Sequence, residues 1–278
     1  MQPLLSPLRY PGSKAGLVNW MDSFLRKTGI AGRQFVEPYA GSASLGLNLL
    51  ARNTVSSLML FERDPLLYSF WYSVFFRTDN LIATIERLAP SLVTRAELEW
   101  LRKQDQVVDN IELMGYAGLL FNRTGFSGVL NSGPIGGASQ SSSYAVDCRF
   151  NKETLIQRIR TLSEYANRVE VYFGDAKKAL TDANFSDNSK RVFYVDPPYY
   201  VQGPKLYRYY YNFSDHLDLS TTLGAAKYKW LLSYDDHPAI RHFYSAFKIY
   251  EPEFRYSSRV PKKERELLFT NIGYRDER

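Results

Sequence analysis

The run Val192-Phe193-Tyr194-Val195-Asp196-Pro197-Pro198-Tyr199 carries an apolar strand pattern straight into an acid, two prolines and a tyrosine. Two prolines end strand pairing and hold the carbonyls that follow in fixed, exposed directions. Asp196 is thereby expected at the carboxyl edge of a buried strand, where solvent access is limited. A second run, Phe35-Val36-Glu37-Pro38-Tyr39-Ala40-Gly41-Ser42-Ala43-Ser44-Leu45-Gly46, reads as strand, Gly/Ser turn and helix. Small residues at a strand's carboxyl end let a ligand approach the backbone closely, and Glu37 there can face a cation. The spacing is neither the dinucleotide fingerprint nor a phosphate-binding loop. A third group, Phe61-Glu62-Arg63-Asp64, ends the next strand. A carboxylate at that place can bind a ribose diol. Asp64 before Pro65 also suits a helix N-cap, which leaves Glu62 as the better ligand candidate.

These residues need a scaffold that delivers strand ends to one edge. Gln34–Glu37, Ser57–Phe61, Glu170–Phe173, Arg191–Val195, Lys229–Ser233, Lys248–Tyr250 and Glu266–Asn271 read as strands. Ala43–Leu50, Pro65–Arg77, Ser214–Ala226 and Ala239–Ala246 read as helices between them. Strands alternating with helices imply an α/β fold with a mostly parallel sheet, helices on both faces and an antiparallel edge. Residues 80–167 break the rhythm. Helical patterns at Arg95–Gln104, Asp109–Asn122 and Lys152–Asn167 flank a Gly, Ser and Asn stretch from Asn131 to Ser143. That stretch is either a solvated loop or a hairpin and loop that fold against a partner.

Composition narrows the partners. The chain has 278 residues, 45% hydrophobic and 23% charged, in the range of a soluble globular protein. No apolar run approaches the roughly 20 residues of a membrane span, and residues 1–14 lack a signal-peptide core, so no membrane partner and a cytoplasmic location are expected. A single cysteine, Cys148, excludes an internal disulfide and a thiolate zinc site, and the three histidines suggest no metal. The net charge of +6 favours a polyanionic partner, and 21 tyrosines favour flat, partly wet surfaces as well as core.

Taken in order, these motifs resemble the Dam-like, D12 class of adenine-specific DNA methyltransferases. Pro7-Leu8-Arg9-Tyr10-Pro11-Gly12-Ser13-Lys14 is similar to that family's N-terminal cofactor motif, Phe35–Gly41 to its Glu-Pro-aromatic-x-Gly motif, and Asp196–Tyr199 to its catalytic motif. Leu231–Asp236 and Glu266–Asn271 resemble its late strands, and Phe121-Asn122-Arg123-Thr124-Gly125-Phe126-Ser127-Gly128 the opening of its target-recognition hairpin. Glu62 stands where the family more often has Asp. The resemblance implies a Rossmann-like S-adenosylmethionine domain, 1–77 with 168–278, and an inserted, mainly helical DNA-recognition domain, 78–167. It implies cofactor contacts by Tyr10, Lys14, Glu62 and Asp196, with Glu37, Pro38 and Gly41 at the methionine end and Asp175 near the adenine. It implies that Asp196, Pro197, Pro198 and Tyr199 hold an adenine extruded from double-stranded DNA, Tyr199 by stacking. The closest alternative is a methyltransferase acting on cytosine or RNA. A catalytically silent DNA-binding protein on the same scaffold is the alternative outside enzymology. Oligomeric state is not readable, and a monomer is compatible with the sequence.

On this reading the middle segment reads DNA. Arg123 suits guanine, and Asn122 and Asn131 suit adenine, through base-edge hydrogen bonds. Arg149 and Lys152 suit phosphates, which position a protein without specifying sequence. The tyrosine-rich run Leu206–Phe213 either walls the base pocket or packs on the sheet. The basic cluster Arg259, Lys262, Lys263 and Arg265 is either a second DNA contact or a solvated loop.

Overall fold

The computed structural model describes residues 6–9, 12–186, 189–201, 203, 208–252 and 266–273. Seven strands form one sheet: β1 (Gln34–Glu37), β2 (Ser57–Glu62), β3 (Val169–Phe173), β4 (Arg191–Val195), β5 (Lys229–Asp235), β6 (Lys248–Tyr250) and β7 (Glu266–Thr270). Their order is β3-β2-β1-β4-β5-β7-β6. The pairs among β3, β2, β1, β4 and β5 are parallel, and β7 runs antiparallel to both β5 and β6. The last strand in sequence therefore inserts between β5 and β6 and does not end the sheet. The order reverses between β1 and β4, and the crevice beyond their carboxyl ends is where open α/β sheets bind ligands.

Period-two alternation explains how the sheet divides its side chains. Phe35, Leu58, Leu60, Val192, Tyr194 and Leu231 are buried on one face, and Val36, Met59, Phe61, Phe193, Val195 and Leu232 on the other. The first face is covered by α1 (Val18–Lys27), α2 (Ser44–Ala51) and α3 (Pro65–Phe76), the second by α9 (Ala176–Thr181), α11 (Phe213–Ala225) and α12 (Pro238–Phe243). The helix starts follow their capping residues. Asp64 accepts from the Leu66 N–H before Pro65 opens α3, and Asn212 and Asp215 form a reciprocal capping box on α11. The stretch between α9 and β4 includes a short turn of helix, α10 (Ala183–Ser186).

The middle segment supplies α4 (Thr78–Arg87), α5 (Leu92–Glu97), α6 (Glu99–Arg102), α7 (Ile111–Thr124) and α8 (Lys152–Ser163). Leu81, Ile85, Leu120, Phe121, Leu155 and Ile159 join Phe70 and Trp71 of α3 in a single continuous core. The approach of α7 to α3 is backbone to backbone: a Cβ on Gly118 would stand 2.6 Å from the Leu66 carbonyl oxygen, and one on Gly115 2.8 Å from that of Ser69.

Two expectations need correction here. Residues 95–104 are not one helix, because Leu98 leaves helical geometry at φ −96°, ψ 4° and separates α5 from α6. No hairpin follows Phe121 among the described residues. Helix α7 continues through Thr124, a 3-10 turn covers Phe126–Gly128, and one isolated bridge joins Gly125 to Pro134. The Gly/Ser stretch is knitted by Gln140, whose amide donates to the Ile135 and Gly137 carbonyls and accepts from the Val146 N–H.

Candidate active site

A cleft opens at the carboxyl ends of β1, β2 and β4. Its lining includes Gly12, Lys14, Glu37, Pro38, Gly41, Glu62, Asp175, Asp196 and Pro198, with Gly128–Asn131 on one rim and Arg208, Tyr209 and Tyr211 on the other. Each wall follows from local structure. The turn after β1 holds Gly41 at φ 47°, a left-handed conformation that glycine adopts without a Cβ penalty. The Gly41 N–H donates to Glu62 Oε2 at 3.1 Å, and the Asp64 N–H to Glu62 Oε1 at 2.9 Å. Trp71 of α3 fixes the same turn through Nε1–H to the Gly41 carbonyl, 2.8 Å.

Buried acids dominate the electrostatics. Glu37 accepts from the Gly46 N–H at 3.2 Å through Oε1, while its Oε2 is enclosed without a hydrogen-bond partner among the described residues. Helix α2 makes room for that carboxylate with a glycine, since a Cβ on Gly46 would stand 2.8 Å from Glu37 Oε2. Burial raises the Glu37 pKa to about 8, with the nearby Asp196 charge adding to the rise against the Gly46 hydrogen bond. Burial likewise raises Glu62 to about 7, although its backbone donors oppose the shift. Asp64 is raised by burial and opposed first by Arg208.

Asp196 lies just beyond β4 and is the centre of a charged network. Its Oδ1 accepts from Ser233 Oγ at 2.6 Å, and Ser233 in turn meets Tyr194 OH at 2.9 Å. Its Oδ2 is 3.1 Å from Lys14 Nζ. Lys14 also donates to the Gly12 carbonyl at 2.7 Å, is 3.3 Å from Glu266 Oε1 and stands 5.0 Å from the Tyr199 ring centre. Tyr199 OH donates to the same Glu266 oxygen. One ammonium is therefore shared between two carboxylates at the mouth of a buried strand.

A sequence model of the D12 class N6 adenine-specific DNA methyltransferases matches residues 10–258. The chain belongs to this family. It is an enzyme of DNA adenine methylation. Comparison with curated proteins gives no match. Among solved structures it is similar to a candidate RNA methyltransferase, PH1948 from Pyrococcus horikoshii, with a TM-score of 0.41 and 12% identity over 97% of this chain and 88% of that one. At that distance the likeness bears on neither substrate nor chemistry.

Within this D12 enzyme, Lys14, Glu37, Pro38, Gly41, Glu62, Asp175, Asp196 and Pro198 meet around one cleft. Tyr199 stands beside it through Lys14, and Pro197 is buried between them in sequence. Tyr10 lies outside the described residues, as do Leu206, Tyr207 and the cluster Arg259, Lys262, Lys263 and Arg265. Asp175 has a second occupation: it caps α9 through the Lys177 N–H and pairs with Arg63 Nη1 at 2.9 Å. Of the tyrosine-rich run, Tyr211 meets Tyr39 hydroxyl to hydroxyl at 2.6 Å, and Tyr209 donates to Asp105 of the middle segment.

The expected base readers do not all face outward. Asn122 is fully buried; its amide exchanges hydrogen bonds with both the N–H and the carbonyl of Arg9 and also donates to the Gly128 carbonyl. Both amide hydrogens are used within the fold, so the structure shows Asn122 as a clamp on Arg9 and Gly128. Arg123 is half-buried and also engaged within the fold: Nε donates to the Pro7 carbonyl and Nη1 approaches the Arg149 carbonyl at 3.5 Å. Burial, then Arg158 and Arg9, lower its pKa to about 10. Lys152 donates to the Glu86 carbonyl at the end of α4, 2.9 Å. Asn131 lines the cleft, and Arg149 is exposed. Sequence reasoning missed Ser233, Glu266 and Arg208. The signal for the first two was present, a polar residue within each of two fully apolar strand runs, Leu231-Leu232-Ser233 and Glu266-Leu267-Leu268.

Proposed function

We propose that the protein transfers a methyl group from S-adenosylmethionine to the N6 amine of an adenine turned out of double-stranded DNA, at the cleft between β1, β2 and β4. The observation that carries this reading is that Asp196 and Glu37 line one cleft at the switch point of the sheet. One is a carboxylate with a Ser233 donor, and the other is buried with an oxygen that has no hydrogen-bond partner among the described residues. The residues fit the cofactor. Glu37 Oε2 supplies an acceptor for a cationic methionine end, and Glu62, with one N–H on each oxygen, retains lone pairs for a ribose diol. Bound S-adenosylmethionine supplies the electrophilic methyl.

The chain's own groups supply the rest. An aromatic amine is a poor nucleophile because its lone pair is shared with the ring. Asp196 and the Pro197 carbonyl accept its two N–H bonds, which favours a pyramidal nitrogen with a localised lone pair. Charge that develops on nitrogen meets fixed acceptors in a sheltered site. Positioning removes much of the entropic cost. Tyr199 offers a ring for the extruded base, worth roughly 1–3 kcal/mol per stacked base. We assign 1–77 with 168–278 to cofactor and chemistry, and 78–167 to the DNA side, where Asn131 and Arg149 remain available. The test is incubation with isotopically methyl-labelled cofactor and duplex DNA, followed by nucleoside analysis. Label in N6-methyladenine, abolished in Asp196→Ala with the melting curve preserved, is expected. Label in a cytosine, or undiminished turnover by the variant, would overturn the reading.

A further inference from the structure

Glu266 has no assigned part in the reaction, yet it is the most constrained acid near Asp196. It opens β7 opposite Asp235 of β5 and is 3% exposed. Lys14 Nζ and Tyr199 OH both meet the same oxygen, Oε1, and Oε2 is enclosed with no hydrogen-bond partner among the described residues. Burying a carboxylate half satisfied costs stability, so a bare packing role is a poor account of it.

The charge balance gives a better one. Lys14 lies 3.1 Å from Asp196 Oδ2. Were that pair alone, the ammonium would neutralise the carboxylate and weaken it as an acceptor for an amine that is becoming cationic. A second carboxylate on the same ammonium changes the sum to one cation and two anions. We propose that Glu266 is a positioning residue that carries the counter-charge of Lys14, so that Asp196 keeps its negative charge for the target amine, while the same Glu266 oxygen fixes the Tyr199 ring by its hydroxyl. This rests on the reading of the cleft as the methyl-transfer site.

Among the described residues, the groups that face this pair from the packed elements are Lys14 before α1, Glu37 on β1, Tyr194 on β4, Tyr199 after it, and Ser233 and Asp235 on β5. Burial raises Glu266, Lys14 opposes the rise and Asp196 adds to it. Tyr194 and Tyr199 are both held neutral, raised first by burial and then by Asp196. The titrations that remain to govern an acidic limb are those of the carboxylates.

The experiment compares wild type, Glu266→Gln and Glu266→Asp in steady-state methylation across the acidic and neutral range. Glu266→Gln should lower kcat by about tenfold or more, leave KM for DNA and cofactor within about threefold, and move the acidic limb to lower pH by up to about one unit, because a like charge beside Asp196 is gone. Glu266→Asp should return the limb and part of kcat. A uniform loss with an unmoved limb would make Glu266 a packing residue only and overturn the proposal. A second arm needs neither turnover nor a folded variant: carbon-13 NMR titration of the wild-type carboxyls should show Glu266 ionised wherever the enzyme is active. Glu266 still protonated there would overturn it as well. If wild type methylates no adenine, the functional reading fails, and this titration still decides whether Glu266 balances Lys14.

Discussion

Glu37 is a buried acid whose ordinary pKa of 4.5 is raised to about 8, chiefly by burial. The folded protein therefore holds a proton that the unfolded chain releases between those two values. Stability contributed by this residue is fully retained below about 4.5 and declines as pH rises towards about 8, the reverse of a salt-bridged carboxylate. A cation bound against Oε2 would displace the proton. Calorimetry of cofactor binding at neutral pH, in buffers of differing ionisation enthalpy, should register proton release, and Glu37→Gln should reduce it. Identical observed heats in all buffers would show that Glu37 does not meet the cation. Glu62, raised to about 7, contributes in the same direction when it accepts a diol. The acids themselves were legible in the sequence because each ends an apolar strand at a turn. Their protonation was not, because it depends on the depth at which the neighbouring helices bury them.

At the scale of elements, the parallel strands were readable from β-branched and aromatic runs bounded by turn residues. Helix ends followed where a cap was present, as at Asp64 and Asn212. The run from Phe121 resembles the opening of a hairpin, but the apolar periodicity that opens at Leu113 does not stop there, and Thr124 closes the helix with its hydroxyl on the Leu120 carbonyl. Arg95 then braces Thr124 from α5 at 2.6 Å. Tertiary support extended a helix where local composition favoured a turn. The seam between α7 and α3 gives a direct test. Gly118→Ala places a Cβ 2.6 Å from a backbone carbonyl, which no rotamer change relieves. Overpacking of this kind costs about 1–3 kcal/mol. Urea titration should show that loss in midpoint at unchanged slope. An unaltered midpoint would mean the two helices separate freely, and the shared core would not be the unit it forms here.

At the scale of the whole molecule, the net charge of +6 is not spread evenly. Arg158 and Arg9 both lower the Arg123 pKa after burial does, and Arg149 lowers that of Arg9, so several guanidinium groups gather near the N-terminal segment. Such a cluster costs free energy in the isolated protein and recovers it against a polyanion. Its members divide by what holds them. Arg123 is tied to the Pro7 carbonyl and anchors the segment that leads to Lys14, whereas Arg149 is exposed. Arg149→Ala should therefore weaken binding to cognate and unrelated duplexes alike and flatten the salt dependence by about 0.9 in the log–log slope, the share of one phosphate. Arg123→Ala should act on the fold, lowering the melting temperature and cofactor affinity, with selectivity among single-base variants of the site unchanged. Methylation kinetics and salt titrations of the two variants on matched duplexes check both halves. Selectivity lost at one base pair in Arg123→Ala would return that residue to the DNA interface, and an unchanged slope in Arg149→Ala would place the phosphate track elsewhere on the molecule.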